Sequence, residues 1–127
     1  MENLVGELGR IVGETNVLTA PADTAAYFRD WRKQYSGSAL CVVRPASTAE
    51  VAGVVALCGK HAVGIVPQGG NTGLCGGSVP TGKRPEIVLS LSRMNRVRAL
   101  DALNNTITVE AGCVLAAVQE AAAQAER

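Results

Sequence analysis

The segment Pro67–Ser78, reading PQGGNTGLCGGS, limits most strongly what this chain can fold into. Five of its twelve residues are glycine, and it follows directly on the short apolar run Ala62-Val63-Gly64-Ile65-Val66. Glycine reaches positive φ and carries no Cβ to hold a ligand away from the backbone. A strand that opens into such a loop presents a concave array of N–H groups, which suits a phosphate or pyrophosphate. Asn71, Thr72 and Ser78 add side-chain hydrogen-bonding groups of their own. A bare chain reversal needs neither so many glycines nor interleaved donors, so the segment reads as a cradle for a nucleotide cofactor.

Two familiar phosphate loops are excluded by what surrounds it. The dinucleotide fingerprint requires Gly-x-Gly-x-x-Gly between a strand and a helix. Here the glycines fall at 69, 70, 73, 76 and 77, and a turn and strand follow, so no helix N-terminus receives the pyrophosphate. Gly77–Arg84 has the Gly-x-x-x-x-Gly-Lys spacing, but Arg84 stands where a Ser or Thr must ligate Mg²⁺. What remains is a loop that grips pyrophosphate through backbone amides without a helix dipole.

Periodicity organises the rest as an α+β chain. Met1 to Arg10 reads as a helix on Leu4, Val5 and Leu8. Ala22 to Lys33 reads as an irregular helical piece whose Tyr27, Phe28 and Trp31 anchor an N-terminal arm, residues 1–36. From residue 37 the pattern sharpens. Ala39–Arg44 is a strand ended by Pro45, and Ser47-Thr48-Ala49-Glu50 has the spacing of a capping box. The helix it opens carries Val51, Val54, Val55 and Cys58 on one face, with Lys60 and His61 in its last turn. Ala62–Val66 is the second strand. Thr81–Pro85 is a turn, and Glu86–Leu91 is a strand hydrophobic enough for burial on both faces. Arg96–Leu103 and Thr106–Ala111 flank Asn104-Asn105 as a hairpin, and Val114–Glu126 is an Ala-rich helix. The expected architecture is a subdomain of parallel strands with helices, plus a hairpin.

The net charge of +1, dispersed along 127 residues, excludes a dedicated nucleic-acid surface, and no apolar run reaches transmembrane length. Met1-Glu2-Asn3-Leu4 lacks the basic and apolar regions of a secretory signal, and Glu7 and Glu14 speak against a transit peptide, so a cytoplasmic protein is expected. Cys41, Cys58, Cys75 and Cys113 are too scattered, with His61 the one histidine, for a structural zinc site; they read as reduced thiols. No metal site is expected. His61 reads as a helix-terminal residue, and no carboxylate pair converges to act as a general base.

The glycine segment resembles the FAD pyrophosphate loop of the vanillyl-alcohol-oxidase type flavoproteins, which carry the PCMH-type FAD-binding domain. Further matching stretches follow in order: Asp30-Trp31 with Tyr35-x-Gly37, Val43-x-Pro45-x-x-Thr48-x-Glu50-Val51, Leu89-Ser90-Leu91-Ser92-Arg93-Met94-Asn95-Arg96-Val97, and Val109-Glu110-Ala111-Gly112-Cys113. Within that superfamily the chain is most similar to the D-2-hydroxyacid branch: D-2-hydroxyglutarate dehydrogenase, D-lactate dehydrogenase and the FAD subunit of glycolate oxidase. The resemblance implies FAD as cofactor, with Gly69, Gly70, Asn71, Thr72 and Gly73 around its diphosphate. Leu74, Gly77 and Ser78 would complete the loop, Pro67 would border the ADP side, and Gly112 would approach the flavin. It implies noncovalent flavin, leaving Cys75 free.

The same family also sets what this stretch of chain is not expected to do alone. Its members are several times longer, with a second FAD-binding segment and a substrate domain beyond the region matched here. The implied parent is an FAD-dependent oxidoreductase that oxidises a D-2-hydroxyacid. A small 2-hydroxyacid would be a partner only of that longer protein, and self-association as a homodimer is compatible with it. These residues would supply the pyrophosphate side, without catalytic residues, and hold FAD weakly by themselves. The alternatives are a non-catalytic nucleotide-binding or structural module, and another enzyme on the same domain such as the UDP-N-acetylmuramate-forming reductase.

Overall fold

The computed structural model describes residues 2–127, and the chain folds as a mixed α+β unit. A sheet of four strands, in spatial order β1-β2-β4-β3, is built from β1 (Val17–Leu18), β2 (Val42–Val43), β3 (Gly64–Gln68) and β4 (Glu86–Ser90). β1 pairs antiparallel with β2, whereas β4 runs parallel to both β2 and β3. Helices α1 (Glu2–Val12) and α3 (Thr48–Lys60) pack on it, with a short helix α2 (Pro21–Thr24) between them in sequence. A separate two-stranded hairpin, β5 (Val97–Asp101) with β6 (Thr106–Val109), precedes α4 (Leu115–Gln124).

β4 is central because its sequence tolerates no water on either side: all five residues are buried. Ile87 and Leu89 join Leu4, Leu8, Val12, Cys41, Val43, Val54, Cys58 and Val63 in one apolar cluster between sheet and helices. Val42, Val66 and Val88, which are register partners on the other face, are buried as well. α1 presents Leu4, Leu8 and Val12 at helical spacing, so the helix expected up to Arg10 continues to Val12; Met1 lies outside the described residues. The arm of residues 1–36 thus shares its core with the rest of the chain.

α3 starts where its cap predicts. The Glu50 N–H donates to Ser47 Oγ at 3.1 Å, and Glu50 Oε2 accepts from the Ala46 N–H at 2.6 Å. The apolar stripe is narrower than expected, however. Val54 and Cys58 are buried and Val51 partly so, but Val55 is 48% exposed. Leu57 takes the place assigned to Val55, because α3 lies on the sheet along 51, 54, 57 and 58. Past the helix end, His61 Nε2 lies 2.9 Å from Glu7 Oε2, which ties α3 to α1.

Three other expectations shift. β3 runs to Gln68, so Pro67 and Gln68 are strand residues paired with Leu89 and Ser90. The hairpin turn is wider than Asn104-Asn105; Asp101 Oδ1 accepts from the N–H groups of Leu103 and Asn104, and Asn105 sits at φ +53°. Tyr27 and Phe28 are half-buried, but Trp31 is 72% exposed, so it is no packing anchor. A bridge between Arg29 and Ser36 closes a tight loop and carries Trp31 out on it.

Close backbone approach decides two glycines. A Cβ on Gly112 would lie 1.7 Å from Leu91 O, and one on Gly37 would lie 1.8 Å from Pro80 O. Gly112→Ala is therefore expected to destabilise the chain by about 3 kcal/mol or more, since only backbone movement relieves the overlap. Gly6 gives the opposite expectation, because it lies inside α1 and a Cβ added there would meet nothing within 4 Å. Gly6→Ala stabilises by about 0.5–1 kcal/mol. Urea unfolding of the two variants beside the wild type checks both signs.

Glu86 opens β4 with its side chain only 3% exposed. Burial alone would raise its pKa, but hydrogen bonds from the Thr81 N–H and Oγ, from Arg84 Nε and from the Gly82 N–H outweigh this and hold it below the ordinary 4.5. Arg84 is itself mostly exposed, so the Thr81 bonds matter more than the ion pair. A depressed carboxylate contributes stability above its unfolded pKa and loses it as pH falls through the lower folded value. Glu86→Gln should thus reduce stability at neutral pH and flatten its decline between about pH 5 and 3, which denaturant titrations across that window would measure.

Candidate functional site

Parallel β3 and β4 cannot be joined by a tight turn, because the chain must return from the carboxyl end of one to the amino end of the other. Such crossovers are usually helices. Here the return is residues 69–85, without regular secondary structure, and it begins at the carboxyl end of β3 beside β4. In open parallel sheets that edge is where ligands bind.

The base of the loop is tied by side chains. Gln68 alternates with Pro67 along β3, so it points inward with Val66 and is buried to 3% exposure, while Pro67 faces solvent. Gln68 Nε2 donates to Tyr27 O at 2.8 Å and to Ser78 O at 2.9 Å. Asn71, at φ +55°, donates through Nδ2 to Arg29 O at 2.6 Å and accepts through Oδ1 from Ser78 Oγ at 2.8 Å. The Tyr35 ring lies against Gly76, whose φ of +80° and lack of Cβ both require glycine.

Above this base the loop is open. Gly69, Gly70, Asn71, Thr72, Gly73, Leu74, Cys75, Gly77 and Ser78 line a cleft of about 430 Å³. None of these residues is acidic, so no carboxylate repels an anion there. Among the described residues, the backbone N–H groups of 69 through 78 have no protein acceptor. A Cβ at Gly69, Gly73 or Gly77 would meet no atom within 4 Å, and one at Gly70 only a Thr72 methyl at 3.9 Å. None of these four has positive φ. Neither backbone conformation nor packing inside this chain explains why they are glycine.

Eight of the ten residues expected at the cofactor therefore come together in one cleft. Pro67 lies outside its lining, one position back on β3. Gly112 also lies outside it; its N–H donates to Met94 O at 2.8 Å, and its missing Cβ admits the 91–94 turn. Asn71 and Ser78 bond to each other, and Asn71 to the arm, so their side chains shape the loop. Glu110, buried beside that turn, accepts from Arg96 Nε at 2.6 Å. Gln68 and Tyr35 are not among the residues expected at the site. The alternation of β3 could have revealed Gln68, since a polar residue on an inward position must be hydrogen-bonded.

A family model described as an FAD binding domain matches residues 39–127. The chain belongs to that family, and FAD is its cofactor. It is 41% identical over 115 residues to a D-2-hydroxyglutarate dehydrogenase of Xanthomonas citri pv. viticola, covering 91% of this chain and 24% of the relative. It is 36% identical over 114 residues to a putative mitochondrial D-lactate dehydrogenase of Schizosaccharomyces pombe, covering 90% of this chain and 21% of that one. The chain thus spans 16% to 24% of the length of the curated relatives it matches. Among solved structures, alkyldihydroxyacetonephosphate synthase superposes with a TM-score of 0.85 at 21% identity, covering 98% of this chain and 25% of that one. p-Cresol methylhydroxylase gives 0.78 at 19% identity over the same shares. These two likenesses establish the fold. No helix among the described residues is long and apolar enough to cross a membrane.

The cysteines separate by position. Burial pushes the Cys41 thiol up to about 12, with the nearby Cys58 adding to the rise, and burial raises Cys58 too. Cys75 is exposed in the cleft. Alkylation at about pH 8, followed by mass spectrometry, should label Cys75 first and leave Cys41 and Cys58 unmodified until the chain unfolds.

Proposed function

We propose that this chain is the diphosphate-holding part of an FAD-dependent dehydrogenase that oxidises a D-2-hydroxyacid, residues 37–127 being the first part of its FAD-binding domain and residues 1–36 a helical arm. The observation that carries the reading is the set of glycines at 69, 70, 73 and 77, which the chain's own packing does not require. A ligand that comes within hydrogen-bonding distance of the backbone does require them, because a Cβ would stand between it and the N–H groups.

In this reading Gly69, Gly70, Asn71, Thr72, Gly73, Leu74, Gly77 and Ser78 hold the FAD diphosphate, chiefly through main-chain N–H groups. The two anionic phosphates accept from donors that nothing else in the described chain occupies. Charge-assisted bonds of this kind are roughly twice as strong as neutral ones. The Thr72 hydroxyl adds a donor on the same rim, and Pro67 borders it from the strand. Gly112 acts at one remove, by seating the 91–94 turn that follows β4. When bound, FAD supplies the acceptor for the two electrons leaving the substrate carbon. This chain's part is to bind and orient. The cleft lining offers no Asp, Glu or His to take a proton, so the general base belongs to another part of the longer protein. A D-2-hydroxyacid as substrate rests on the relatives named above, which are dehydrogenases of D-2-hydroxyglutarate and D-lactate.

The test is amide-resolved NMR of this chain titrated with FAD and with ADP. Shifts confined to residues 69–78, with weak affinity, are expected. Gly69→Ala and Gly73→Ala should abolish them while changing folding stability by less than about 1 kcal/mol, because the new methyl groups meet no protein atom. Alanine variants that bind like the wild type, or shifts centred elsewhere on the surface, would refute the assignment.

A further inference from the structure

The amide array is useful as an anion cradle only if it is ordered before the ligand arrives, since each residue that must be fixed on binding weakens the complex. Yet the N–H groups of residues 69–78 make no backbone hydrogen bonds to hold their own shape. Besides the Ser78–Asn71 side-chain bond, the ties that hold the loop come from outside it. Apart from Thr81 and Arg84, which Glu86 holds at the far end, the side-chain and close backbone contacts that residues 68–80 make outside the sheet converge on one stretch of the arm, residues 26–37. Gln68 Nε2 bonds Tyr27 O, Asn71 Nδ2 bonds Arg29 O, the Tyr35 ring covers Gly76, and Gly37 meets Pro80.

That stretch is itself cross-linked by hydrogen bonds. The Asp30 side chain accepts from the N–H groups of Gln34 and Tyr35 at 2.7 and 3.1 Å, and the Asp30 N–H donates to Tyr35 O. The Gly37 N–H donates to Phe28 O at 2.9 Å, which closes the segment on itself. It lies wholly before residue 39, where the FAD-domain match begins.

We propose that Gln68 is the positioning residue of the glycine loop, and that residues 26–37 are the scaffold of the cofactor site rather than an accessory arm. Gln68 is suited to this because one amide nitrogen serves both ends of the loop. It stands at the loop entry, bonds the exit at Ser78 O, and spends its second N–H on the scaffold at Tyr27 O. Asn71 repeats the device half-way along, reaching Arg29 O with Nδ2 while Oδ1 holds Ser78 Oγ. The inference rests on the reading of the loop as a diphosphate cradle, but its first measurement needs no ligand.

Three variants test it. Gln68→Glu keeps the shape of the side chain and sets a carboxylate oxygen against two carbonyls. Asn71→Gly keeps the positive φ and removes the side-chain bonds, and Tyr35→Ala uncovers Gly76 from the solvent side. In the ligand-free chain, the ¹H–¹⁵N NOE of residues 69–78 should fall in each variant while that of β4 stays unchanged. In ADP titrations the affinity should drop about five-fold or more, with the melting temperature of Asn71→Gly and Tyr35→Ala nearly constant. Should Gln68→Glu not fold, the two exposed-side variants decide the question. A loop that stays as ordered as the wild type, or that binds ADP equally well once loosened, overturns the proposal. A wild-type chain without ADP shifts would instead overturn the cradle reading, and the NOE comparison would still judge the scaffold.

Discussion

Parallel pairing of β3 with β4 is the constraint on which the rest of this structure depends. A parallel neighbour obliges the chain to travel back along the sheet, and this chain does so without a helix. A helical crossover would satisfy its own N–H groups. An irregular one does not, and the first ten residues of this return leave theirs open at the carboxyl edge of the sheet. The open row of N–H groups at that edge is thus a consequence of how two strands are connected, before any side chain is considered.

The core exists to hold that connection still. β4 is buried on both faces, which locks its register to β2 and β3 and so fixes where the loop leaves the sheet. α1 and α3 cover one face through Leu4, Leu8, Val12, Val54 and Cys58, and the pair His61–Glu7 joins their surfaces. At the opposite end of β4, Glu86 takes up the N–H and hydroxyl of Thr81, where the crossover returns. Entry and exit of the crossover are therefore both anchored by buried polar side chains, Gln68 and Glu86. Its middle is tied by Asn71 and Tyr35 to the arm.

The elements legible in the sequence are those whose signal is local. Ser47 and Glu50 announce α3 because both capping bonds close within a few residues. The nearly continuous hydrophobicity of Glu86–Leu91 announces a strand covered on both sides. The departures lie where a partner decides. Val55 has the right spacing for the buried face, but the face that α3 turns to the sheet leaves it exposed and packs Leu57 instead. Trp31 has the character of a core residue, yet the Arg29–Ser36 bridge carries it into solvent. Gly112 is placed near the flavin by the resemblance alone, and the packing adds a reason of its own for glycine there, the approach of Leu91 O.

The sequence by itself determined that a glycine-rich segment follows a buried strand and is followed by another strand instead of a helix. That order alone removes the nucleotide loops that depend on a helix dipole, and the pattern of residues then matches one family. Which of those glycines the fold itself requires and which it does not was a tertiary decision. Gly76, Gly37 and Gly112 are required by Tyr35, Pro80 and Leu91, whereas Gly69, Gly70, Gly73 and Gly77 face open space. The same holds for Gln68 and Asn71, whose partners Tyr27 and Arg29 lie some forty residues earlier. Local chemistry says that a glutamine amide must find acceptors. Only the packing of the arm against the sheet edge says which carbonyls they are.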